Sequence, residues 1–229
     1  MNRVLVCCVA ACLIVLMIKP VKSMSGEEVV GKIPEAYIYL YATEREGNLE
    51  KFRLEANGAI QYFPFWINVS NESYWPQLIY SDINHDGEKE LIIILTKGYG
   101  TGTILQEVHV LHNTETNIGN VYREMIVDNP MAILLKNVKT KLTKSVATIT
   151  IGNEKTVIKI DKLRIEPKNL FSDVVTDNLI RFEVIDNKLM AIVGAQIAPA
   201  GGYIGSFHLT YEFQNGLYEC RKIEFVHSD

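Results

Sequence analysis

The sequence predicts a mostly β fold, because its apolar residues alternate with polar ones in short runs that turn residues separate. β-Branched and aromatic side chains dominate these runs, as in AYIYLYA at residues 36–42. Four segments have the turn chemistry of antiparallel hairpins, and no long segment shows sustained helical periodicity. We therefore expect antiparallel hairpins in one compact domain or in two small β lobes, with an α+β fold as the alternative.

The first 23 residues are typical of a signal peptide. Arg3 gives a short basic start, the stretch from Val4 to Ile18 is uncharged and apolar, and KPVKS follows. That stretch is shorter than the roughly 20 apolar residues of a membrane-spanning helix. Cleavage after Ser23 predicts a protein that is secreted or held at the cell surface. The alternatives are a lipid anchor at Cys12, since VAAC resembles the lipobox of bacterial lipoproteins, and an uncleaved signal anchor.

Removal of this segment leaves a mildly acidic chain. The sequence has 23 basic and 27 acidic residues, and the segment takes away three basic ones, so 20 remain against 27 and the net charge is −7. Nucleic acids and anionic membranes favour a basic stripe, which is not visible, so neither is an expected partner. The lysines Lys136, Lys139, Lys141 and Lys144 are spaced through a polar segment and are expected on a solvated face.

Cysteine usage excludes an internal disulfide in the mature chain. Cys7, Cys8 and Cys12 lie in the signal segment, which leaves Cys220 alone. The fold must then be held by its core or by a metal. Cys220 lies in the alternating segment GLYECRKIEF, so it is predicted to be a strand thiol and not a nucleophile.

Four hairpins are predicted in order along the chain. Their turns are the dipeptides Asn57-Gly58, Gly152-Asn153, Asp186-Asn187 and Asn215-Gly216. Asn, Asp and Gly accept the positive φ angles of tight hairpin turns. Between the first two hairpins, KGYGTGT at residues 97–103 predicts a wide turn or bulge, because ILQEVHVLH after it alternates like a strand.

Helix signals are short. Residues 128–138 have Asn129 as a candidate cap and Pro130 at the first helical position, although their apolar run is also compatible with a buried strand. Residues 166–175 fit one or two helical turns. The polar segment around residues 136–145 is the best boundary if there are two lobes. The predicted organisation is therefore a signal peptide at 1–23, an N-terminal β lobe at 24–135 and a C-terminal antiparallel β lobe at 136–229.

The stretch SDINHDGEKELIIIL at residues 81–95 contains the candidate site. Oxygen-bearing side chains occupy alternate positions, Gly87 permits a sharp reversal, and an apolar run follows. The candidate metal ligands are the side chains of Asp82, Asn84, Asp86 and Glu90 and the backbone carbonyl of Glu88. Calcium takes about six to eight such oxygens in a flexible cage, so we expect structural Ca²⁺ in preference to Mg²⁺. The alternative is an Asx-rich turn that leads into a strand.

The spacing DxNxDGxxE, followed by LIII, resembles the calcium loops of the FG-GAP and VCBS families. These loops occur in blades of extracellular β-propellers such as those of integrin α subunits. The resemblance implies that Asp82, Asn84, Asp86 and Glu90 are side-chain ligands and that Glu88 is a carbonyl ligand. An EF-hand is a poorer fit, because its twelfth position would be Ile93. The motif occurs once, so a complete propeller is not expected.

A longer segment, WPQLIYSDINHDGEKELIIILTKGYGTGTILQEVHVL, is similar to a segment found in exported proteins of Gram-positive bacteria. In that group the GYGTG and HV elements accompany the calcium-like loop. The resemblance implies export and a related architecture, and it implies no particular reaction.

The sequence offers no catalytic constellation and no organic cofactor motif. His109 and His112 are three residues apart, so on a strand they face opposite sides and make a poor joint metal site. An exported binding or structural module is the favoured function, and the aromatic residues of YFPFWINVSNESYWP pack in the core or bind a protein or glycan outside the cell. The alternatives are an extracellular or cell-wall hydrolase, and a regulator or inhibitor of another exported protein.

Overall fold

The computed structural model describes residues 26–116 and 119–228, which form three β-sheets, one α-helix and four short 3₁₀ turns. The predicted signal peptide and Cys12 lie outside the described residues. The mostly β prediction is confirmed.

The strands are numbered in chain order. The first eight are β1 (Glu27–Ile33), β2 (Ile38–Arg45), β3 (Asn48–Ala56), β4 (Ala59–Phe63), β5 (Asn68–Val69), β6 (Gln77–Ser81), β7 (Glu90–Gly100) and β8 (Thr103–Thr116). The next eight are β9 (Gly119–Val127), β10 (Val138–Leu142), β11 (Val146–Ile151), β12 (Glu154–Lys159), β13 (Leu179–Ile185), β14 (Lys188–Gln196), β15 (Tyr203–Gln214) and β16 (Leu217–His227). The helix α1 is Pro130–Asn137, and the 3₁₀ turns are Pro34–Ala36, Glu72–Tyr74, Asp161–Leu163 and Pro167–Asn169.

The largest sheet has eight strands in the order β13-β14-β15-β16-β9-β8-β7-β6. Most neighbours are antiparallel, but β9 pairs with β16 in parallel, and so does β13 with β8. The second of these contacts joins the first strand of the order to the sixth, so six strands form a hydrogen-bonded ring while β7 and β6 continue beyond it. Each parallel contact involves only two residues of each strand, Leu179 and Ile180 beside Ile104 and Leu105 in the case of β13.

Strand β7 separates two hydrophobic cores, which explains why LIIIL is apolar without alternation. Ile92 and Ile94 belong to the first core, which also contains residues of β11 and of β13 to β16. Leu91, Ile93 and Leu95 belong to the second core, which they share with β2 and β3. Successive side chains on a strand point to opposite faces, so a strand buried on both sides needs apolar residues at every position.

The five-stranded sheet covers the second core. Its order is β1-β2-β3-β4, with β5 also paired to β3. On β2, and on β3 from Phe52 onward, the buried positions alternate, and Phe52 and Leu54 are inaccessible or almost so. Trp66 lies beneath this sheet, stacked on Phe63 at a centroid distance of 3.8 Å. The sheet therefore follows the period-two pattern from which it was predicted.

All four predicted hairpins are confirmed. Their turns lie between β3 and β4, β11 and β12, β13 and β14, and β15 and β16. Asn57, Gly58, Asn215 and Gly216 all have positive φ, as tight turns require. The glycine-rich segment is also confirmed as a bulge and turn, with a register shift between Thr96 and Gly98.

The helical predictions are confirmed in part of their predicted ranges. In α1 the Asn129 side chain accepts a hydrogen bond from the Ala132 amide at 3.0 Å, and Pro130 occupies the first turn. Residues 166–175 contain a single 3₁₀ turn. The polar segment after α1 contains β10, in which Val138, Thr140 and Leu142 alternate with Lys139 and Lys141 and pair with β11.

Strands from both sides of residue 135 contribute to the eight-stranded sheet and to the first core. Ile92 and Val110 pack in the same cluster as Phe182, Val193 and Phe207. The division into lobes at residues 24–135 and 136–229 stays a prediction, which a folding experiment can test.

Candidate metal-binding loop

The candidate loop connects β6 to β7, and the pairing of Ser81 with Glu90 closes it. Ile83 is 4% exposed and packs in the first core, which fixes the start of the loop. His85 and Gly87 adopt positive φ angles of 63° and 94°, so the chain can reverse within a few residues. The loop therefore delivers its last carboxylate, on Glu90, at the entrance to the strand that separates the two cores.

Most of the side-chain oxygens in the loop accept hydrogen bonds from loop donors. Asn84 Oδ1 accepts from the Asp86 amide at 2.9 Å, and Asp86 Oδ1 accepts from the Glu88 amide at 2.8 Å. Asp82 Oδ2 accepts from the Gly87 amide at 3.1 Å. The Glu88 amide hydrogen bond, followed by one from Asn84, lowers the pKa of Asp86 below its usual value, so Asp86 is ionised at neutral pH.

Glu90 is the most unusual group in the loop, because its side chain is buried. The residue is 2% exposed, and its Oε2 accepts hydrogen bonds from the amides of Ile83 at 2.8 Å and Asn84 at 3.3 Å. Burial raises the pKa of Glu90 to about 7, the charges of Asp86 and Asp82 add to this increase, and the two amide donors oppose it. A nearby cation would favour the ionised form of this carboxyl group.

One buried side-chain oxygen in the loop accepts no hydrogen bond from the described residues. Asp82 Oδ1 is buried and receives no hydrogen bond within the described part of the chain. A buried acceptor without a donor is costly, and it calls for an unseen water or ion. The oxygen-rich ligand set and this orphaned acceptor fit a hard divalent cation such as Ca²⁺.

The present side-chain arrangement is nevertheless closed by internal hydrogen bonds. Asn84 Nδ2 donates to Asp86 Oδ2 at 2.8 Å, which occupies an oxygen that the metal interpretation requires. Across residues 26–116 and 119–228, no three His, Cys, Asp or Glu side chains converge as a metal-holding group. The predicted ligand set, made up of Asp82, Asn84, Asp86, Glu90 and the Glu88 carbonyl, stays a prediction.

Two residues near the loop could not be found from sequence spacing. His112 Nε2 and the Tyr218 hydroxyl are 2.9 Å apart. Burial raises the pKa of Tyr218, and the charges of Glu90, Asp86 and Asp82 raise it further. Burial lowers the pKa of His112, whereas the charge of Asp86 opposes this change. The loop is therefore near a polar pair formed by the half-buried His112 and the buried Tyr218, which are 106 residues apart in the chain.

The predicted separation of the two histidines is confirmed. His109 stacks on Trp66 at 4.2 Å and pairs with Glu124 through Nδ1 at 2.6 Å. His112 instead contacts Phe213 and Tyr218 on the other face of β8. Cys220 is a free thiol within β16, as predicted, and burial raises its pKa.

The aromatic segment divides between the core and the surface. Trp66 is buried, whereas Phe65 is 90% exposed and Tyr62 is 65% exposed. Tyr74 and Tyr99 stack at a centroid distance of 4.3 Å.

No helix in the described ranges has the length and apolar character required to cross a membrane. Comparison of the chain with protein-family models, with curated proteins and with solved structures gives no match.

Proposed function

We propose that the protein is an exported binding or structural module whose fold is stabilised by Ca²⁺ in the loop at residues 82–90. The orphaned oxygen of Asp82 carries this proposal, because a buried acceptor beside the buried carboxyl group of Glu90 marks a position where a cation would lower the energy. The loop leads directly into β7, so an ion there would fix the start of the strand against which both cores pack.

Exposed aromatic side chains support the binding part of the proposal. Tyr62, in β4 of the five-stranded sheet, and Phe65, which follows that strand, present large rings to solvent. Such rings provide contact area for a protein or a glycan outside the cell.

The test is thermal unfolding of the purified protein with EGTA and with millimolar Ca²⁺. Extracellular calcium sites bind at about 10⁻⁴ to 10⁻³ M, so a concentration tenfold or more above Kd should raise Tm by about 5 °C. Mg²⁺ should give a smaller increase.

Mass spectrometry of the same preparation, made in an exporting host, should find Met24 at the N-terminus if the signal is cleaved after Ser23.

Two variants make the calcium test specific. Asp82→Asn removes one ligand charge and should abolish most of the increase in Tm with Ca²⁺. Asp161→Asn removes a carboxylate from a 3₁₀ turn outside the loop and should leave the increase unchanged. No change in Tm with Ca²⁺ in the parent protein, or an equal increase in the Asp82 variant, would contradict the calcium proposal.

A further inference from the structure

A cleft of about 500 Å³ lies between the last turn of α1, the β10–β11 hairpin and the middle of β16. Three basic side chains and three isoleucines line most of it: Lys136, Lys139, Arg221, Ile133, Ile151 and Ile223. We call this cleft the basic cleft. Among the described residues that line it there is no Asp or Glu, although the protein as a whole has more acidic than basic residues. Three cations therefore face one cleft, although Glu212 and Glu219 lie near Arg221.

The basic side chains retain donors for a ligand. Within the described ranges, Lys136 and Lys139 have no carboxylate within 4.0 Å. Arg221 lies 3.7 Å from a carboxylate oxygen of Glu212 and 3.7 Å from one of Glu219. Both distances exceed those of ordinary hydrogen bonds, so the guanidinium N–H groups can still donate to another anion.

The remaining lining suits the apolar part of an organic molecule. The isoleucines come from three separate elements and give the basic cleft an apolar wall beside its charged groups. Small-molecule sites commonly occupy about 300 to 1,000 Å³ and combine apolar walls with a few placed polar groups. A bare inorganic ion would leave most of this volume and the apolar wall unused.

We propose that the basic cleft binds a small organic anion, with a carboxylate or phosphate head group on the three cations and an apolar part on the isoleucines. None of the cleft residues belongs to the loop at residues 82–90. The result of the calcium test therefore does not decide whether the basic cleft binds an organic anion.

The test is calorimetric titration of the full chain with phenyl phosphate and with benzoate. Inorganic phosphate supplies the head group alone, and benzyl alcohol supplies the ring alone. At least one aromatic anion should bind tighter than both partial probes, and the tighter of the two anions identifies the preferred head group. Binding of benzyl alcohol as tight as that of the anions, or no saturable binding of either aromatic anion at millimolar concentration, would overturn the proposal.

Cys220 provides a second readout, because its side chain also lines the basic cleft. A bound aromatic anion should slow alkylation of Cys220 by iodoacetamide. Burial raises the pKa of the thiol, so the reaction is run at alkaline pH. Mass spectrometry of the peptide that contains Cys220 keeps Cys7, Cys8 and Cys12 out of the measurement. An unchanged alkylation rate at saturating ligand would place the ligand elsewhere and overturn the proposal.

Matched lysine variants test the role of charge. The double variant Lys136→Ala/Lys139→Ala should weaken binding about tenfold, since two ion pairs at an accessible site are lost. Lys141→Ala is the control, because Lys141 lies two residues along β10 on the same face but outside the cleft. Its affinity should stay within about twofold of the parent protein, because salt screens a charge that makes no direct contact.

The control also separates a site from a diffuse electrostatic attraction. Equal weakening by Lys141→Ala and by the double variant would overturn the proposal. Far-ultraviolet circular dichroism checks that each variant is folded. If the double variant unfolds, Lys139→Glu replaces it, because this single change at an exposed strand position places a repelling charge at the cleft. Binding to Lys139→Glu as tight as to the parent protein would equally overturn the proposal.

Discussion

Gly205 in β15 occupies a position with no room for a side chain. Its φ is +142°, a region that L-residues rarely adopt, and a Cβ atom there would press against the carbonyl oxygen of Val226. The same Cβ would lie 2.7 Å from a ring carbon of Phe225. Val226 and Phe225 belong to the neighbouring strand β16, so relief would require two paired strands to separate.

Gly205→Ala should therefore lower the free energy of unfolding by about 3 kcal/mol, through overpacking together with backbone strain. Gly216→Ala is the control. Gly216 also has positive φ, but a Cβ there would meet no atom of the described residues within 4 Å, so only a conformational cost of about 1 kcal/mol is expected. Urea denaturation measures both losses. Equal losses in the two variants would show that the close approach of β16 does not determine the stability at Gly205.

At the scale of elements, Arg53 ties together three strands of the five-stranded sheet. Its Nε and Nη2 donate to the two carboxylate oxygens of Glu27 on β1 at 2.9 and 2.8 Å. Its Nη1 pairs with Glu55 on its own strand β3. The guanidinium group also lies 4.0 Å from the ring centroid of Tyr41 on β2, the strand between the other two. The Glu27 and Arg53 side chains are only 11% and 13% exposed, so water screens this pair weakly.

Methionine keeps the aliphatic stem of Arg53 but removes the guanidinium group from Glu27. Arg53→Met should therefore lower the free energy of unfolding by about 2 kcal/mol. Arg53→Lys should lose about half as much, since an ammonium group cannot make the two-pronged contact. Arg181→Met is the control. Arg181 lies 3.7 Å from Glu183 and is 45% exposed, so a loss below about 0.5 kcal/mol is expected. Denaturant titrations compare the three variants, and losses of similar size at Arg53 and Arg181 would contradict a special role for Arg53.

Local chemistry made many of the elements predictable from sequence. A dipeptide such as Asn215-Gly216 determines its own turn, and Asn129 with Pro130 marks the start of α1, because the forces involved act over a few residues. The parallel contacts of β13 with β8 and of β9 with β16 join residues far apart in the chain. No local pattern specifies such partners, so the order of strands in the large sheet could not be predicted.

The same distinction applies to the candidate sites. The alternation of Asp82, Asn84 and Asp86 is a local signal, which is why the loop could be proposed from sequence. The burial of Glu90 depends on the core beneath it, and its neighbours His112 and Tyr218 come from other strands. The basic cleft could not be predicted for a similar reason, since Arg221 lines the same cleft as Lys136 and Lys139 although it lies far from them along the chain.

At the scale of the whole molecule, β7 is shared by the two hydrophobic cores. Its side chains alternate between them, so neither core can lose the strand without exposing apolar surface of the other. The hydrogen-bonded ring adds a second link, because it joins β8 and β9, from the middle of the chain, to the C-terminal strands β13 to β16. We therefore expect the described residues to unfold in one cooperative transition.

Tryptophan fluorescence can test this expectation, because both tryptophans report on the second core. Trp66 is buried in that core and Trp75 packs against it. Val193→Ala removes two methyl groups from the first core, at a fully buried position, and should cost about 2 kcal/mol. If the two cores unfold together, the variant shifts the fluorescence transition and the circular-dichroism transition by the same amount. A fluorescence transition that stays at the parent midpoint while the circular-dichroism signal moves would show that the cores unfold independently, and it would favour the two-lobe organisation.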